Sequence, residues 1–295
     1  MKHAGVPLAA RLVAEAPPAL PVEPLLVGRT ADEALAILPR LFNLCRAAQA
    51  GAVAAALGRP VDAPGMAGEI LRDHLVKLHV SWPARLGMPA TALPADWRAG
   101  GAPLLEAVFG AGRAPETPEA FEALLNGGSL AGAVMRRLRD AFEPFEAVAE
   151  GLPAPAQAAL RPGAAVENSV AARQARRPAM RDIEARYGRG PLWRAAARLF
   201  DIEDAALGRL PPVERAEGRA LVPAARGAYA VRITLCEGRV AWFERVTPTD
   251  ALMAPEGILA RALDSLPAIK GGQATLLLEI LDPCAPVRLR EVDDA

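Results

Sequence analysis

Three cysteines, Cys45, Cys236 and Cys284, have the greatest potential for chemistry in this sequence. A thiolate can bind a soft metal, attack an electrophile or form a disulfide. The number of cysteines is odd and their spacing is wide, which fits neither a disulfide framework nor a four-ligand zinc motif. We therefore expect a reducing, cytoplasmic compartment, and the role of each thiol depends on the residues around it.

Other standard catalytic motifs are missing from the chain. It contains no G-x-S-x-G, no P-loop, no G-x-G-x-x-G after a predicted strand and no H-E-x-x-H. Its histidines are His3, His74 and His79. Five residues separate His74 from His79, which places them about 140° apart around a helix. This spacing predicts two separate histidines at the core edge or surface of an amphipathic helix, and not one metal site.

The elements around Cys45 are predicted to be helical. Thr30–Glu33 has the pattern of a capping box, so a helix should begin there. Pro39 removes a backbone amide and predicts a short helix followed by a longer one, with Cys45 near its start. Residues 66–86 form an amphipathic pattern, and residues 87–118, dense in Pro and Gly, indicate an irregular connection. Further helices are predicted at residues 118–125, 129–148 and 191–207, with Ser129 as an N-cap and Pro191 in a first turn.

The pattern changes to that of strands after Pro223. Residues 229–235 and 240–246 are rich in β-formers and are joined by Cys236–Arg239, which predicts a β-hairpin. A helix should follow at residues 255–266. The short apolar run Thr275–Leu281 predicts a buried strand that leads to Cys284.

Composition supports a mainly helical protein of 295 residues. Hydrophobic residues make up 52% of the chain but aromatic residues only 4%, so Ala, Leu and Val must build the core. Small side chains favour closely packed helices, and the predicted fold class is mainly α with a small C-terminal β element. The formal net charge of 0 argues against nucleic-acid binding, and no apolar run reaches the roughly 18 residues of a membrane span.

Four segments together resemble NiFe-hydrogenase large subunits. Leu25–Gln49 is similar to their N-terminal region, in which G-R-[DT]-x-x-[DE]-A precedes R-x-C-G-x-C-x-x-x-H, and Asp282–Arg290 is similar to their terminal D-P-C-x-x-C-x-x-H. Ala225–Gly227 resembles their A-P-R-G, and Val246–Pro255 resembles V-x-P-T-[TS]-W-N-x-x-P. The matches extend over residues 25–85 and 222–290.

The sequence departs from this pattern at four positions. Phe42 and Val287 stand where two of the four metal-binding cysteines would be, and Gln49 and Arg290 occupy the two histidine positions. Nickel coordination of this type needs the full set of thiolates. The departures therefore imply that the chain binds no nickel and is not an enzyme.

One cysteine retained at each end is typical of the HupK-type accessory proteins of hydrogenase assembly, which look like truncated large subunits. That resemblance implies a helical bundle of the large-subunit type. It would be one domain over residues 1–295, with a helical part at about 25–210, a β-hairpin and α part at about 222–290, and a flexible segment at residues 1–24.

The same resemblance implies a role as scaffold or carrier for an iron fragment with cyanide and carbonyl ligands, bound transiently. Cys45 and Cys284 would be the metal ligands, Arg226 would face one cyanide, and Pro248 and Thr249 would line the second. The implied partners are hydrogenase maturation chaperones and the hydrogenase large subunit.

Simpler interpretations of these residues remain open. Arg226 could be a surface arginine, Thr249 could cap a turn, and Cys236 is expected to be an incidental thiol. The chain could also be a metal-free large-subunit paralogue that acts as a protein-interaction module. A redox enzyme with a Cys45–Cys284 disulfide is a third hypothesis, but the sequence offers it no C-x-x-C motif and no positioned base.

Overall fold

Helices dominate the computed structural model, which describes residues 11–18, 20–156 and 161–292. The helices are α1 (Val22–Leu26), α2 (Ala31–Leu41), α3 (Arg46–Ala56), α4 (Ala63–Val76), α5 (Trp82–Arg85), α6 (Gly101–Phe109), α7 (Pro118–Asn126), α8 (Leu130–Ala141), α9 (Val170–Gln174), α10 (Pro178–Tyr187), α11 (Pro191–Ala206), α12 (Pro248–Leu252), α13 (Ile258–Asp264) and α14 (Ala274–Leu281). A π-helical turn, Lys77–Ser81, joins α4 to α5. The predicted fold class, mainly α with a small β element, is confirmed.

Six strands form two antiparallel sheets. The strands are β1 (Arg11–Glu15), β2 (Glu214–Ala216), β3 (Arg219–Ala224), β4 (Gly227–Cys236), β5 (Arg239–Val246) and β6 (Arg288–Val292). The larger sheet has the order β2-β3-β4-β5 and contains the predicted hairpin as β4 and β5. Strands β2 and β3 were not predicted, since Pro223 within β3 is a residue that argues against a strand.

The smaller sheet joins the two ends of the described chain. Strand β1 pairs with β6 from Arg11↔Val292 to Glu15↔Arg288. Residues 11–15 of the segment that was expected to be flexible form this strand, while residues 1–10 lie outside the described chain. A five-residue segment with so little periodicity gives no strand signal of its own, because its partner is far away in sequence.

Two further sequence predictions need correction. Thr275–Leu281 is not a strand but most of helix α14, whose buried residues Ala274, Leu277 and Ile280 follow a helical spacing. A short apolar run cannot be assigned by periodicity alone, and its three consecutive leucines are good helix formers. The connection at residues 87–118 is not wholly irregular, because it contains helix α6.

Most predicted helix boundaries hold. Thr30 and Glu33 form the predicted capping box, and Ser129 caps α8. Pro39 does not end its helix, because α2 continues to Leu41 and the break follows at Phe42. Helix α8 ends at Ala141, seven residues before the predicted boundary at Val148.

Helix α11 is the centre of the fold, and nearly every one of its residues is buried. One large apolar core surrounds α11 and includes side chains from α4, α8, α13 and α14. A second core packs α1, α2 and α3 against the larger sheet and includes Cys45. Within the described residues, no helix is both long and apolar enough to cross a membrane.

Candidate two-cysteine site

Cys45 lies at the start of α3 in a backbone conformation that presents its thiol to the interior. It is the N-cap residue, with the left-handed angles φ 54° and ψ 36°. Its side chain caps nothing, because Glu69 of α4 accepts the first free amides of α3, from Ala47 at 3.0 Å and Ala48 at 3.3 Å. A non-glycine residue in this conformation is strained, so the fold holds Cys45 there at a cost.

Cys284 reaches the same place from the other end of the chain. Helix α14 ends at Leu281, and its C-cap residue Asp282 is also in the left-handed region with φ 55°, which turns the chain just before Cys284. The two thiols lie close enough that each is the main influence on the pKa of the other. The backbone amide of Cys284 donates to the Thr249 hydroxyl at 2.7 Å, which fixes the loop.

The two thiols share their protons unequally. The hydrogen bond from Cys45 lowers the pKa of Cys284 despite its burial, and Arg226 and Thr249 lower it further. The same hydrogen bond, together with burial, raises the pKa of Cys45. The pair therefore loses its first proton more easily than its second.

Arg226 is not a surface arginine. It lies in the two-residue turn between β3 and β4 and is 8% exposed. Its Nη1 atom lies 2.6 Å from Asp73 Oδ2 and 3.7 Å from Cys45 Sγ, and its Nη2 atom donates to Asp282 at 3.4 Å. Burial lowers the pKa of Arg226, but the Asp282 and Asp73 carboxylates outweigh burial and raise it. The guanidinium is thus a permanent cation clamped beside the thiols.

Asp282 connects this site to the basic residues behind it. Its carboxylate contacts Arg226, Arg198 at 3.0 Å and Lys77 at 2.8 Å. Burial would raise the pKa of Asp282, but these three cations hold it at about 2. The carboxylate therefore stays ionised and fixes the orientation of Arg226.

A second layer of buried polar groups supports Arg198. His74, fully buried on α4, contacts Asp201 of α11 through Nε2 at 2.7 Å, and its Nδ1 atom lies 3.2 Å from Arg198 Nη1. Burial lowers the pKa of His74, so the ring is neutral, donates to Asp201 and accepts from Arg198. His74 is thus a structural histidine of the interior, whereas the sequence placed it at the edge of the core or on the surface.

Pro248 and Thr249 come from the first turn of α12. Thr247 and Asp250 form a capping box, so the helix has its cap without Thr249. Pro248, Thr249 and Arg226 all line one small cavity of about 20 Å³. The structure therefore brings together the residues that the sequence singled out, with Pro248 between this cavity and the cysteines.

A larger pocket of about 370 Å³ opens over the thiols. Phe42, Gln49, Tyr229 and Arg245 line it together with Cys45 and Cys284. The Arg245 guanidinium stacks on the Phe42 ring, 4.2 Å from its centre. Gln49 donates to the Leu44 carbonyl at 2.9 Å. The position that would hold another cysteine is thus occupied by an aromatic ring covered by a cation.

The other departures from the large-subunit pattern lie outside the pocket. Val287 packs at the edge of the larger core. Arg290 lies on β6 and pairs with Glu15 of β1 at 2.9 Å. Cys236 is exposed in the hairpin turn, far along the strand from Arg226.

Sequence reasoning missed the carboxylates of this site. Asp73, Glu69 and Asp282 each hold a group of the site, yet none was assigned that role. Glu69 and Asp73 are four residues apart, which places both on one face of a helix. That spacing was the available signal, but only the fold shows that this face meets Cys45 and Arg226.

The protein ligands available to a metal are few. In the described part of the chain, no three side chains of His, Cys, Asp or Glu are placed to hold a metal ion together. A bare zinc or nickel ion needs about four protein ligands, so the two thiols do not fit one.

The chain is similar to known proteins in both sequence and structure. No family model matches the chain. It is 44% identical over 279 residues to the hydrogenase expression/formation protein HupK of Rhodobacter capsulatus, with 95% of this chain and 92% of that protein covered. It is 29% identical over 317 residues to the HupK of Azotobacter vinelandii, with 91% and 90% covered.

The fold is also similar to that of solved hydrogenases. The Ni-Fe-Se hydrogenase from D. vulgaris Hildenborough in its as-isolated oxidised state aligns with a TM-score of 0.58 and 14% identity, with 94% of this chain and 97% of that chain covered. This likeness confirms the predicted large-subunit-like fold and, at such low identity, nothing beyond it. Because the relative from Rhodobacter capsulatus is similar along almost the whole chain, the protein belongs to the HupK family of hydrogenase expression/formation proteins.

Proposed function

We propose that this protein is a non-catalytic assembly factor for NiFe-hydrogenase. Its cargo is an iron fragment with two cyanides and one carbonyl, which it holds or carries on the way to the large subunit. The observation that supports this most directly is the contact between Cys45 and Cys284, with the Arg226 cation 3.7 Å from the Cys45 sulfur. The names of its relatives support the assembly role.

The cargo fits the small number of protein ligands. An iron fragment that brings three strong ligands of its own needs only a few more, and low-spin iron accepts soft thiolates. Cys45 and Cys284 supply two. Arg226 offers the fixed fork of donors that suits a small anion, and its carboxylate clamps keep it pointed at the thiols.

Thr249 and Pro248 have different parts in this proposal. The Thr249 hydroxyl accepts from the Cys284 amide and contacts the Cys284 sulfur, so its first task is to orient that ligand. Its single proton can serve a cyanide only after leaving the sulfur. Pro248 contributes an apolar wall between the pocket and the small cavity.

Two features argue for a non-catalytic role. Phe42 and Val287 leave the site two thiols short of the large-subunit pattern, and Arg245 places a cation over the ring of Phe42. A second metal ion would meet repulsion there and find no ligands. The partners that this role implies are the maturation chaperones and the large subunit, in the cytoplasm.

Infrared spectroscopy tests the cargo directly. The full chain, purified from a hydrogenase-expressing host, should show cyanide and carbonyl stretching bands together with bound iron. Cys45→Ala and Cys284→Ala should each remove the bands, whereas Cys236→Ala, which changes an exposed thiol, should leave them intact.

Two results would reject this function. One is a folded wild-type protein without iron and without these bands. The other is a spectrum that Cys45→Ala and Cys284→Ala leave unchanged. Either result would favour the metal-free interaction module, a function that does not need the two thiols to be in contact.

A further inference from the structure

The pocket over the thiols contains polar groups that the chain itself does not satisfy. Gln49 is 2% exposed, and its Oε1 atom has no hydrogen-bond partner among the described residues. The Tyr229 hydroxyl, equally buried, lies near Arg245 without an aligned hydrogen bond. Arg245 stacks on the Phe42 ring and interacts with the Tyr229 hydroxyl, but it pairs with no carboxylate in the described part of the chain. Buried groups of this kind call for a ligand or water.

These groups define the chemistry of a ligand. Arg245 offers a planar fork that matches a carboxylate, and Gln49 Oε1 needs an N–H donor. Tyr229 can donate to a carbonyl. A short peptide with a free carboxylate carries all three, and about 370 Å³ is enough room for a small molecule of this size.

The two thiols at the floor of the pocket indicate that the ligand contains reactive sulfur. Both cysteines line the pocket, and Cys284 is the more accessible of the two thiols, since Cys45 is buried. Both thiols line the same pocket, and a disulfide between them would need their sulfurs to approach to about 2.05 Å. A peptide disulfide docked above them would therefore meet an attacking sulfur and a resolving sulfur in sequence.

We propose that this pocket binds a disulfide of the glutathione class and that Cys284 is its modification site. The Cys284 sulfur attacks one sulfur of the bound disulfide, a mixed disulfide forms, and one peptide thiol leaves with the proton that Cys284 gave up. The Cys45 sulfur then attacks the Cys284 sulfur, and the second peptide thiol leaves with the Cys45 proton. The two protein thiols are oxidised, one disulfide is reduced to two thiols, and the Cys45–Cys284 bond remains.

The product would be a protected form of the site. A Cys45–Cys284 disulfide has no thiolate to offer, so a metal fragment could bind only after reduction. The inference extends the proposed function, since it concerns the same thiols, but it stands on contacts that involve no metal.

The chain supplies its own control, because Cys236 is an exposed thiol outside any such pocket. Reduced, metal-free protein is incubated with oxidised glutathione, and the modification of each cysteine is followed by peptide mass spectrometry. The reaction rate of Cys284 should saturate as the concentration of glutathione disulfide increases. The rate of Cys236 should rise linearly with that concentration. The variant Cys45→Ala should accumulate the mixed disulfide at Cys284, because the resolving sulfur is gone.

A comparison between a charged and an uncharged disulfide separates docking in the pocket from the intrinsic reactivity of Cys284. Arg245→Gln should slow the reaction of Cys284 with glutathione disulfide by about tenfold, the size of effect expected for one hydrogen bond to a charged group. The same variant should leave the reaction of Cys284 with uncharged 2-hydroxyethyl disulfide unchanged within about twofold, because that reagent has no carboxylate. Wild-type protein alone also tests the proposal, because Cys284 should react faster with the charged reagent than with the neutral one, relative to Cys236.

The proposal is wrong if Cys284 reacts linearly and shows no preference between the two reagents relative to Cys236. It is also wrong if Arg245→Gln slows both reagents equally. Neither result bears on the infrared bands of the iron cargo, so the failure of one proposal is distinguishable from the failure of the other.

Discussion

The Arg226 guanidinium bridges Asp73 and the Cys45 sulfur through a single nitrogen, with Nη1 2.6 Å from the carboxylate and 3.7 Å from the sulfur. An arginine in a tight turn thereby connects helix α4, helix α3 and the C-terminal loop. This one side chain holds together parts of the chain that are far apart in sequence.

Removal of this cation should destabilise the fold. Arg226→Met leaves the Asp73 and Asp282 carboxylates without their shared partner, and breaking a buried ion pair costs about 3 kcal/mol or more. Urea denaturation at pH 7 should show this loss, whereas Arg215→Met, at an exposed position of β2, should change stability by about 0.5 kcal/mol or less. Equal effects of the two substitutions would contradict the clamp described here.

Asp282 should make the free energy of unfolding depend on pH in the acidic range. Its pKa of about 2 in the folded protein lies below the unfolded value of about 3.9, so its contribution is complete above about pH 5 and is lost as pH falls toward 2. Asp282→Asn should lower the urea midpoint at pH 7 and flatten its decline between pH 5 and pH 3. A variant that declines as steeply as the wild type would show that Asp282 is not the group responsible.

The reactivity of Cys284 should report its hydrogen bonds. Because Cys45 and Thr249 lower the pKa of Cys284, iodoacetamide should modify this thiol at a pH below the usual thiol range. In a Cys236→Ser background, Cys45→Ala and Thr249→Val should each move the midpoint of the pH–rate profile upward. Thr249→Ser keeps the hydroxyl and should retain the wild-type midpoint, which separates loss of the hydrogen bond from loss of packing.

Gly227, directly after Arg226, should tolerate no side chain. Its φ is +150°, and an added Cβ would lie 2.5 Å from the backbone oxygen of Asn168. Gly227→Ala should therefore cost about 2 kcal/mol or more and weaken the Asn168 hydrogen bonds to Ala228. Gly128→Ala, at a loop position with open space and no such φ, should be neutral or slightly stabilising in the same denaturation experiment.

Sequence motifs singled out residues that the fold brings together, but they did not predict every element that carries them. Two adjoining cavities are lined by Cys45, Cys284, Arg226, Pro248 and Thr249, and Cys284 follows a helix and not the predicted strand. A motif specifies which side chains are present. The choice between helix and strand for the seven-residue apolar run Thr275–Leu281 depends instead on packing against α11 and α13.

The carboxylate partners could not be predicted for a related reason. Asp73 and Glu69 look like the solvated face of an amphipathic helix, and only the tertiary arrangement turns that face toward Arg226 and the start of α3. The pairing of β1 with β6 is equally non-local. Short polar segments carry no information about partners that lie hundreds of residues away.

The supply of one thiol from each end of the chain has a consequence for synthesis. Domains begin to fold from the N-terminal side as they emerge from the ribosome, but Cys45 meets its partner only after residue 284 has been made. A growing chain can therefore form much of its helical core while it presents one thiol, with no pair to hold a metal fragment or close a disulfide. The two-cysteine site therefore forms only after both cysteine-bearing segments have been made.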